Sequence, residues 1–200
     1  MALPFDTSQD GSTWHLVQRA RERCQCFRQE ADFQTYAYWL QKYAGRYEID
    51  IHAWVFMPDH LHLLASSTDP WACPEMLQTV ARQYQHHFQE RYGSWAAVWD
   101  EEIGANPVTD DLKLLRCYRY IEMHPVRSKL ALDPSAYRWS SYTCNALGMH
   151  DGLCRPHAAY LELASDRIAR RLAYQALFVK PLPHAAMAEI RQCLAEGTRL

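Results

Sequence analysis

The feature that most constrains the fold is a pair of strand-like runs joined by two turn residues. Residues 48–57 are rich in β-branched and aromatic side chains, and residues 60–66 have the pattern of a second strand. Pro58 and Asp59 between them supply turn chemistry. The segment therefore predicts an antiparallel hairpin, or at least a sharply bent strand pair.

A further strand and several helices are predicted on either side of this hairpin. Composition and apolar periodicity predict one further strand and three helices, which lie over 13–17, 33–47, 77–92 and 110–124. The last helix should end before Pro125, because a residue that precedes proline resists the α region. No clear period marks 94–108, a stretch that contains Gly104 and Pro107.

The order of the elements indicates the fold class. Strand, helix, strand, strand, helix, helix does not alternate as a doubly wound fold does, and it favours α+β with an antiparallel sheet and helices on one face. Two hundred residues, 48% of them hydrophobic, suffice for one domain with a substantial core. We assign 1–150 to this domain and 151–200, where short helical patterns are broken by prolines, to a small C-terminal helical extension.

Composition limits the partners and the compartment. A formal charge of -2 gives no global attraction to a polyanion, so nucleic-acid contacts would use local patches. Seven scattered cysteines lack paired C-x-x-C or zinc-ribbon spacing and are typical of reduced thiols. No apolar stretch approaches the ~20 residues of a membrane span, and the first ten residues lack a basic start. We expect a cytoplasmic protein with no membrane contact.

The second strand of the hairpin carries two histidines. Because alternate strand residues share a face, His60 and His62 project together while Leu61 and Leu63 face the core. Two such imidazoles suit Mg²⁺, Mn²⁺ or Zn²⁺ as a bidentate site. The alternative is polar surface on a half-buried strand, which is common for an isolated His-x-His.

Two stripes divide the third predicted helix. The apolar stripe should face the core and consists of Leu114, Cys117, Tyr118 and Ile121. A second, non-core stripe contains Lys113, Arg116, Tyr120, His124 and Arg127. Cations favour a phenolate and attract phosphate, so Tyr120 is a candidate nucleophile; the alternative is an exposed tyrosine stacked on arginines. His124, one turn further, is a candidate third metal ligand.

The cations form two local groups that are candidate DNA-phosphate contacts. The first consists of Arg19, Arg21 and Arg23, and the second of Lys113, Arg116, Arg119 and Arg127. Basic runs are also common as solvated surface, so charge alone leaves both interpretations open.

Three blocks in order along the chain resemble the HUH single-tyrosine transposases. They are HAWVFMPDHLHLL at 52–64, RYIEMHPVR at 119–127 and YRWSSY at 137–142. Within that family the sequence is most similar to the REP-associated tyrosine transposases, whose C-terminal block resembles YQALF at 174–178. The resemblance begins at WHLV, residues 14–17, and so spans nearly the whole chain.

The resemblance implies a ferredoxin-like core and a single-stranded DNA endonuclease and strand transferase. In such proteins two histidines bind a divalent metal, and a tyrosine takes the 5′ phosphate and leaves a free 3′ hydroxyl. These roles fall on His60, His62 and Tyr120. The implied partner is single-stranded DNA carrying palindromic repeat hairpins. No protein partner is implied, and the chain is expected to be a monomer or a homodimer.

Two departures from the family pattern bear most directly on metal and DNA binding. His124 stands where the family usually has asparagine, which predicts a shift from Mg²⁺ towards Mn²⁺ or Zn²⁺, because imidazole prefers softer ions. Asp100, Glu101 and Glu102 replace a basic and aromatic segment and would repel a phosphate backbone. Two alternatives remain: a domesticated hairpin-binding protein with weak or no cleavage, and a metal hydrolase of small phosphoesters that uses water.

Overall fold

A four-stranded antiparallel sheet organises the molecule. The computed structural model describes residues 12–93, 95–198 and 200. Its first six strands and α-helices are β1 (Ser12–Ala20), α1 (Glu30–Arg46), β2 (Asp50–Met57), β3 (His60–Ser67), α2 (Ala72–Tyr92) and β4 (Trp99–Val108). The strand order is β2-β3-β1-β4, with every neighbouring pair antiparallel. This βαββαβ arrangement is ferredoxin-like, so the predicted α+β class and antiparallel sheet are confirmed.

The stretch 94–108, which shows no clear period in the sequence, contains β4 over most of its length. Gly104 and Pro107 hide the strand pattern, but β4 lies at the sheet edge, where proline is tolerated since one side has no strand partner. Asp100, Glu101 and Glu102 lie on this edge strand.

Helices were predicted on one face of the sheet, and in the structure they cover both faces. Leu16 on β1 and Leu61 and Leu63 on β3 pack with the buried side chains of α1 and α2. Val55 and Leu64 point the other way, into a second core formed with the helices that follow β4. The histidines of β3 lie on this second face, as strand alternation predicts.

The chain after β4 is helical. Its elements are α3 (Asp111–Glu122), α4 (His124–Arg127), α5 (Tyr142–Leu147), α6 (Ala158–Leu161), α7 (Arg167–Ala176) and α8 (His184–Glu196). The side chain of Asp110 caps α3 by accepting from the Lys113 amide at 2.9 Å. As predicted, α3 ends before Pro125, and the short α4 contains that proline in its first turn. None of the helices in the described part of the chain has the length and apolarity to cross a membrane.

The C-terminal helices are joined to α3 by a buried carboxylate. Glu122 accepts hydrogen bonds from the Ser141 hydroxyl at 2.6 Å and the Asn145 amide at 2.8 Å. The Tyr174 hydroxyl donates to its other oxygen at 2.6 Å. Burial raises the pKa of Glu122 to about 7, although the three hydrogen bonds act in the opposite direction. Glu122 therefore changes charge near neutral pH while linking α3, α5 and α7.

The raised pKa of Glu122 predicts a stability that falls with increasing pH. Between the ordinary value of 4.5 and the folded value of about 7, the unfolded chain loses this proton and the folded chain keeps it. From pH 5.5 to 7.5 the contribution of Glu122 to the free energy of unfolding should fall by about 2 kcal/mol. Urea unfolding at both pH values measures it. The decrease should be smaller by this amount in Glu122→Gln and unchanged in the exposed control Glu101→Gln; an equal decrease in wild type and Glu122→Gln contradicts the assignment.

Candidate metal and tyrosine site

Three histidines from two elements meet on the second face of the sheet. His60 and His62 are the first and third residues of β3, and His124 begins α4. Their ring centroids lie 5.2 Å apart for His60 and His62, 4.8 Å for His60 and His124, and 4.9 Å for His62 and His124. One ring nitrogen from each lies within 4.8 Å of the others. This spacing allows all three to coordinate one cation.

Neighbouring side chains orient two of these rings. Nδ1 of His60 lies 2.6 Å from Oδ1 of Asp59, and Nδ1 of His62 lies 3.0 Å from Nε2 of His15. Each contact leaves Nε2 free to bind a cation, as outer partners of metal-binding histidines commonly do. Nδ1 of His124 is buried without a hydrogen-bond partner in the described part of the chain. An unsatisfied buried nitrogen beside two oriented imidazoles fits a metal site.

Burial keeps these imidazoles uncharged. It lowers the pKa of His124 to about 3, with the charge of His60 as the next cause, and it lowers the pKa of His62 well below its ordinary value. Burial also lowers the pKa of His60, against the opposing effect of Asp59, and lowers that of His15 to about 3. Neutral imidazole is the form that binds metal, so the site needs no deprotonation near neutral pH.

Tyr120 lies beside the histidine cluster. Its ring centroid is 5.8 Å from that of His62, 5.9 Å from that of His15 and 6.1 Å from that of His124. The guanidinium carbon of Arg127 lies 4.3 Å from the Tyr120 ring centroid, and its Nη2 donates to the Tyr120 carbonyl at 2.7 Å. The structure thus brings together a phenol, a cation and three imidazoles.

The expectation that Tyr120 lies on a non-core face was wrong. Tyr120 is only 5% exposed, because α3 lies between the sheet and the C-terminal helices and is covered on both sides. Tyr118 is fully buried, as predicted, and packs against Tyr160 and Tyr174. The two tyrosines therefore differ in what they face and not in burial: Tyr120 faces the histidines and Tyr118 faces the C-terminal core.

Three of the predicted cationic contacts bond to the C-terminal part of the chain. Nζ of Lys113 pairs with Glu189 on α8 at 3.0 Å, and Arg116 approaches the same carboxylate at 3.9 Å. Arg119 donates to the Lys180 carbonyl. Helical spacing places these residues near Tyr120 in sequence, but the packing of α8 turns them towards the C-terminal extension. Their role in binding DNA stays a prediction.

The cations at the end of β1 are more exposed to solvent than those of α3. Arg19 and Arg21 are exposed, at the end of β1 and in the 3-10 turn that follows it. Arg19 also lines the cavity in front of the histidines. The side chain of Arg23 lies outside the described residues. Of the predicted phosphate contacts with a described placement, Arg19 and Arg21 are thus the most accessible.

The cavity in front of the histidines has a volume of about 400 Å³ and includes walls that sequence reasoning missed. Asp100 of β4 and Arg191 and Leu194 of α8 line it together with Arg19. No sequence signal links α8 to the hairpin, since the two are joined only by packing. His15 was also missed, although strand alternation puts it on the opposite face from the core residue Leu16 and so on the face of the histidines.

Comparison with known proteins agrees with this geometry. The profile of the family described as "Transposase IS200 like" matches residues 8–124, more than half of the chain. The matched segment includes His60, His62, Tyr120 and His124. No protein of curated function matches the chain by sequence.

A solved structure shares the fold. A REP-associated tyrosine transposase bound to a REP hairpin superposes with a TM-score of 0.57 at 17% identity, covering 78% of this chain and 93% of that one. A transposase candidate from Deinococcus radiodurans R1 gives a TM-score of 0.43 at 18% identity, over 61% of this chain and 96% of that one. From the family match and the ferredoxin-like sheet together, we conclude that the chain belongs to the IS200-like transposase family.

Proposed function

We propose that the protein is an endonuclease and strand transferase of single-stranded DNA, with Tyr120 as the nucleophile and a divalent cation bound by His60, His62 and His124. The observation that carries the proposal is the position of Tyr120 beside a three-histidine cluster that lines the same cavity. A phenol so placed can reach a phosphate that contacts the cation. The family match is consistent with DNA as the substrate.

A divalent cation bound here would withdraw charge from a non-bridging phosphate oxygen. The Tyr120 oxygen attacks phosphorus in line with the leaving group, so a Tyr–O–P bond forms and the bond from phosphorus to the 3′ oxygen breaks. The tyrosine hydroxyl loses its proton and the leaving 3′ oxygen gains one. Arg127 over the Tyr120 ring stabilises the negative charge that develops on the phenol oxygen. The products are a 5′-phosphotyrosine and a free 3′ hydroxyl, and the reverse reaction joins strands.

His15 has a positioning role in this proposal. Nε2 of His62 can bind a cation only when its proton is on Nδ1, and Nδ1 must then donate to Nε2 of His15. His15 is neutral and 1% exposed, so its Nε2 can accept this hydrogen bond in a water-excluded setting. By holding that tautomer, His15 would select the metal-binding nitrogen of His62.

Repeat hairpins in single-stranded DNA are the proposed substrate. The solved relative bound to a REP hairpin supports this choice. Arg19, which lines the cavity, and the exposed Arg21 near it in sequence offer phosphate contacts. Asp100 in the cavity wall opposes a phosphate backbone and favours the second candidate, a hairpin-binding protein that cleaves weakly or not at all. The two candidates differ in whether a covalent adduct forms.

Tyr120→Phe should abolish a covalent adduct. Wild-type protein incubated with Mn²⁺ and a 3′-labelled single strand that carries a repeat hairpin and a cleavable flank should give a labelled protein–DNA band on a denaturing gel. Tyr118→Phe removes a hydroxyl from the neighbouring core tyrosine and should keep the band. An adduct with Tyr120→Phe would refute the nucleophile. Tight hairpin binding by wild type with no adduct under any divalent metal would favour the binding protein, and hydrolysis of a small phosphodiester by Tyr120→Phe would favour a hydrolase that uses water.

His15→Ala should weaken metal binding by roughly tenfold or more, because outer partners of metal-binding histidines contribute on that scale. Calorimetric titration with Mn²⁺ in the absence of DNA measures it. His15→Gln retains an acceptor near the position of Nε2 and should recover part of the affinity. The control is His52→Ala, which removes a buried histidine bonded to Ser66 and the Arg155 carbonyl on the same face of the sheet. Equal affinities in wild type and His15→Ala would exclude the positioning role.

His124→Asn should move the metal preference towards Mg²⁺. An amide oxygen suits this harder ion better than imidazole does, so wild type should form more adduct with Mn²⁺ than with Mg²⁺, and the variant should narrow that ratio. The measurement is the initial rate of adduct formation in each metal after chelation of the others. Equal rates of wild type with Mg²⁺ and Mn²⁺ would show that His124 does not set the preference.

A further inference from the structure

A second group of metal-binding side chains lies away from the histidine cluster. Cys144 of α5 meets Asp151 and Cys154 of the following loop, with one donor atom from each residue within 4.8 Å of the others. The backbone of Cys154 pairs with Ile51 of β2 in an isolated β-bridge. His60 pairs with Met57, which lies six residues after Ile51 on the same strand. Six strand residues span roughly 20 Å, so the two groups are separate.

We propose that Cys144, Asp151 and Cys154 form a second cation site, selective for a thiophilic divalent ion such as Zn²⁺. Two sulfur donors and one carboxylate are a ligand set that favours Zn²⁺ over Mg²⁺ or Ca²⁺. The spacing of the three residues matches no zinc-ribbon pattern, so sequence patterns alone do not predict the site.

The Asp151 carboxylate is held in place and keeps a free binding position. Its Oδ1 accepts from the amides of Leu153 at 2.9 Å and Cys154 at 2.8 Å, which occupies both lone pairs. Its Oδ2 accepts only from the indole nitrogen of Trp54 at 3.1 Å in the described structure, so one lone pair remains. Hydrogen bonds that fix a carboxylate while leaving one oxygen position open are typical of the support around a metal ligand.

The two thiols share a pocket of about 240 Å³ that is open to a fourth ligand. His150 lines the same pocket; its Nδ1 accepts from the Gly152 amide at 2.9 Å, which leaves Nε2 available. Water is the alternative fourth ligand. Three protein donors with one open or exchangeable position complete the tetrahedral coordination that Zn²⁺ adopts.

Neighbouring arginines balance the net charge that the cation and its three ligands would carry. Binding of one Zn²⁺ breaks two S–H bonds, forms two Zn–S bonds and releases two protons to solvent. Two thiolates, one carboxylate and one Zn²⁺ sum to a charge of about -1 by this chemistry. Four arginines line the pocket and offset it: Arg155, Arg167, Arg170 and Arg171.

A cation here would fasten the C-terminal helices to the sheet. The Arg155 amide donates to the Ile51 carbonyl of β2 at 2.7 Å, and Asn145 of α5 donates to the His52 carbonyl at 3.1 Å. Linking Cys144 to Cys154 therefore joins two segments that each already contact β2. Because only the folded chain holds the three donors together, bound Zn²⁺ would stabilise the fold.

The test uses the full chain with the first site removed. His60→Ala/His62→Ala protein, reduced and freed of metal by chelation, should bind one equivalent of Zn²⁺ in competition with a zinc-binding dye. Co²⁺ should give the charge-transfer absorption of a cobalt–thiolate bond, a signal that histidine ligands do not produce. Adding Cys154→Ser should weaken Zn²⁺ binding at least 100-fold and remove the thiolate band, and Asp151→Asn should weaken binding by a smaller factor. Cys73→Ser, at a buried cysteine of α2, is the matched control and should change neither signal.

Several outcomes would overturn the proposal. These are loss of all Zn²⁺ binding in the His60→Ala/His62→Ala protein, absence of the thiolate band, and a Cys144–Cys154 disulfide whose reduction yields no Zn²⁺ affinity. Thermal unfolding of the metal-free Cys154→Ser variant should match that of metal-free wild type and so separate lost binding from lost folding. Cys154→Ser with an intact first site should still form the Tyr120 adduct, so failure here and failure of the proposed function are distinguishable.

Discussion

The packing of α3 across the outer face of β2 and β3 is the contact on which the candidate site depends. The hairpin alone presents His60 and His62 to that face but supplies no nucleophile and no third imidazole. Burial of Leu114 and Tyr118 with Val55 and Leu64 fixes the position of α3 over the strands. That position brings Tyr120 beside the two histidines of β3, and the chain that continues into α4 adds His124.

The same packing sets the electrostatics of the site. Covering the second face of the sheet removes water from the histidines, which keeps them neutral, and leaves His15 as the nearest polar partner of His62. The same packing fully buries the carboxyl of Glu122, which joins the C-terminal helices to α3. Those helices in turn supply Arg191 and Leu194 to the cavity. A site of this kind is thus completed by a part of the chain with no catalytic pattern of its own.

Local patterns predicted the elements whose side chains have a clear period. Strand alternation separated His60 and His62 from the core-facing leucines, and helical phasing separated Tyr120 from Tyr118. β4 was not predicted because Gly104 and Pro107 interrupt its alternating pattern. Both residues are tolerated there because β4 lies at the edge of the sheet. The burial of Tyr120 was not predicted, because helical phasing gives the direction of a side chain on its own helix but not which other element packs against that side.

The sequence by itself determined the hairpin, the common face of His60 and His62 and the resemblance to a transposase family, because these depend on residues close together in the chain. Only the tertiary structure decided that Lys113 and Arg116 pair with Glu189 of α8, whereas Arg127 lies over the Tyr120 ring. It alone placed His15 against His62 and gathered Cys144, Asp151 and Cys154. Those contacts arise from strand pairing, loop closure and helix packing between distant segments, which no local period encodes.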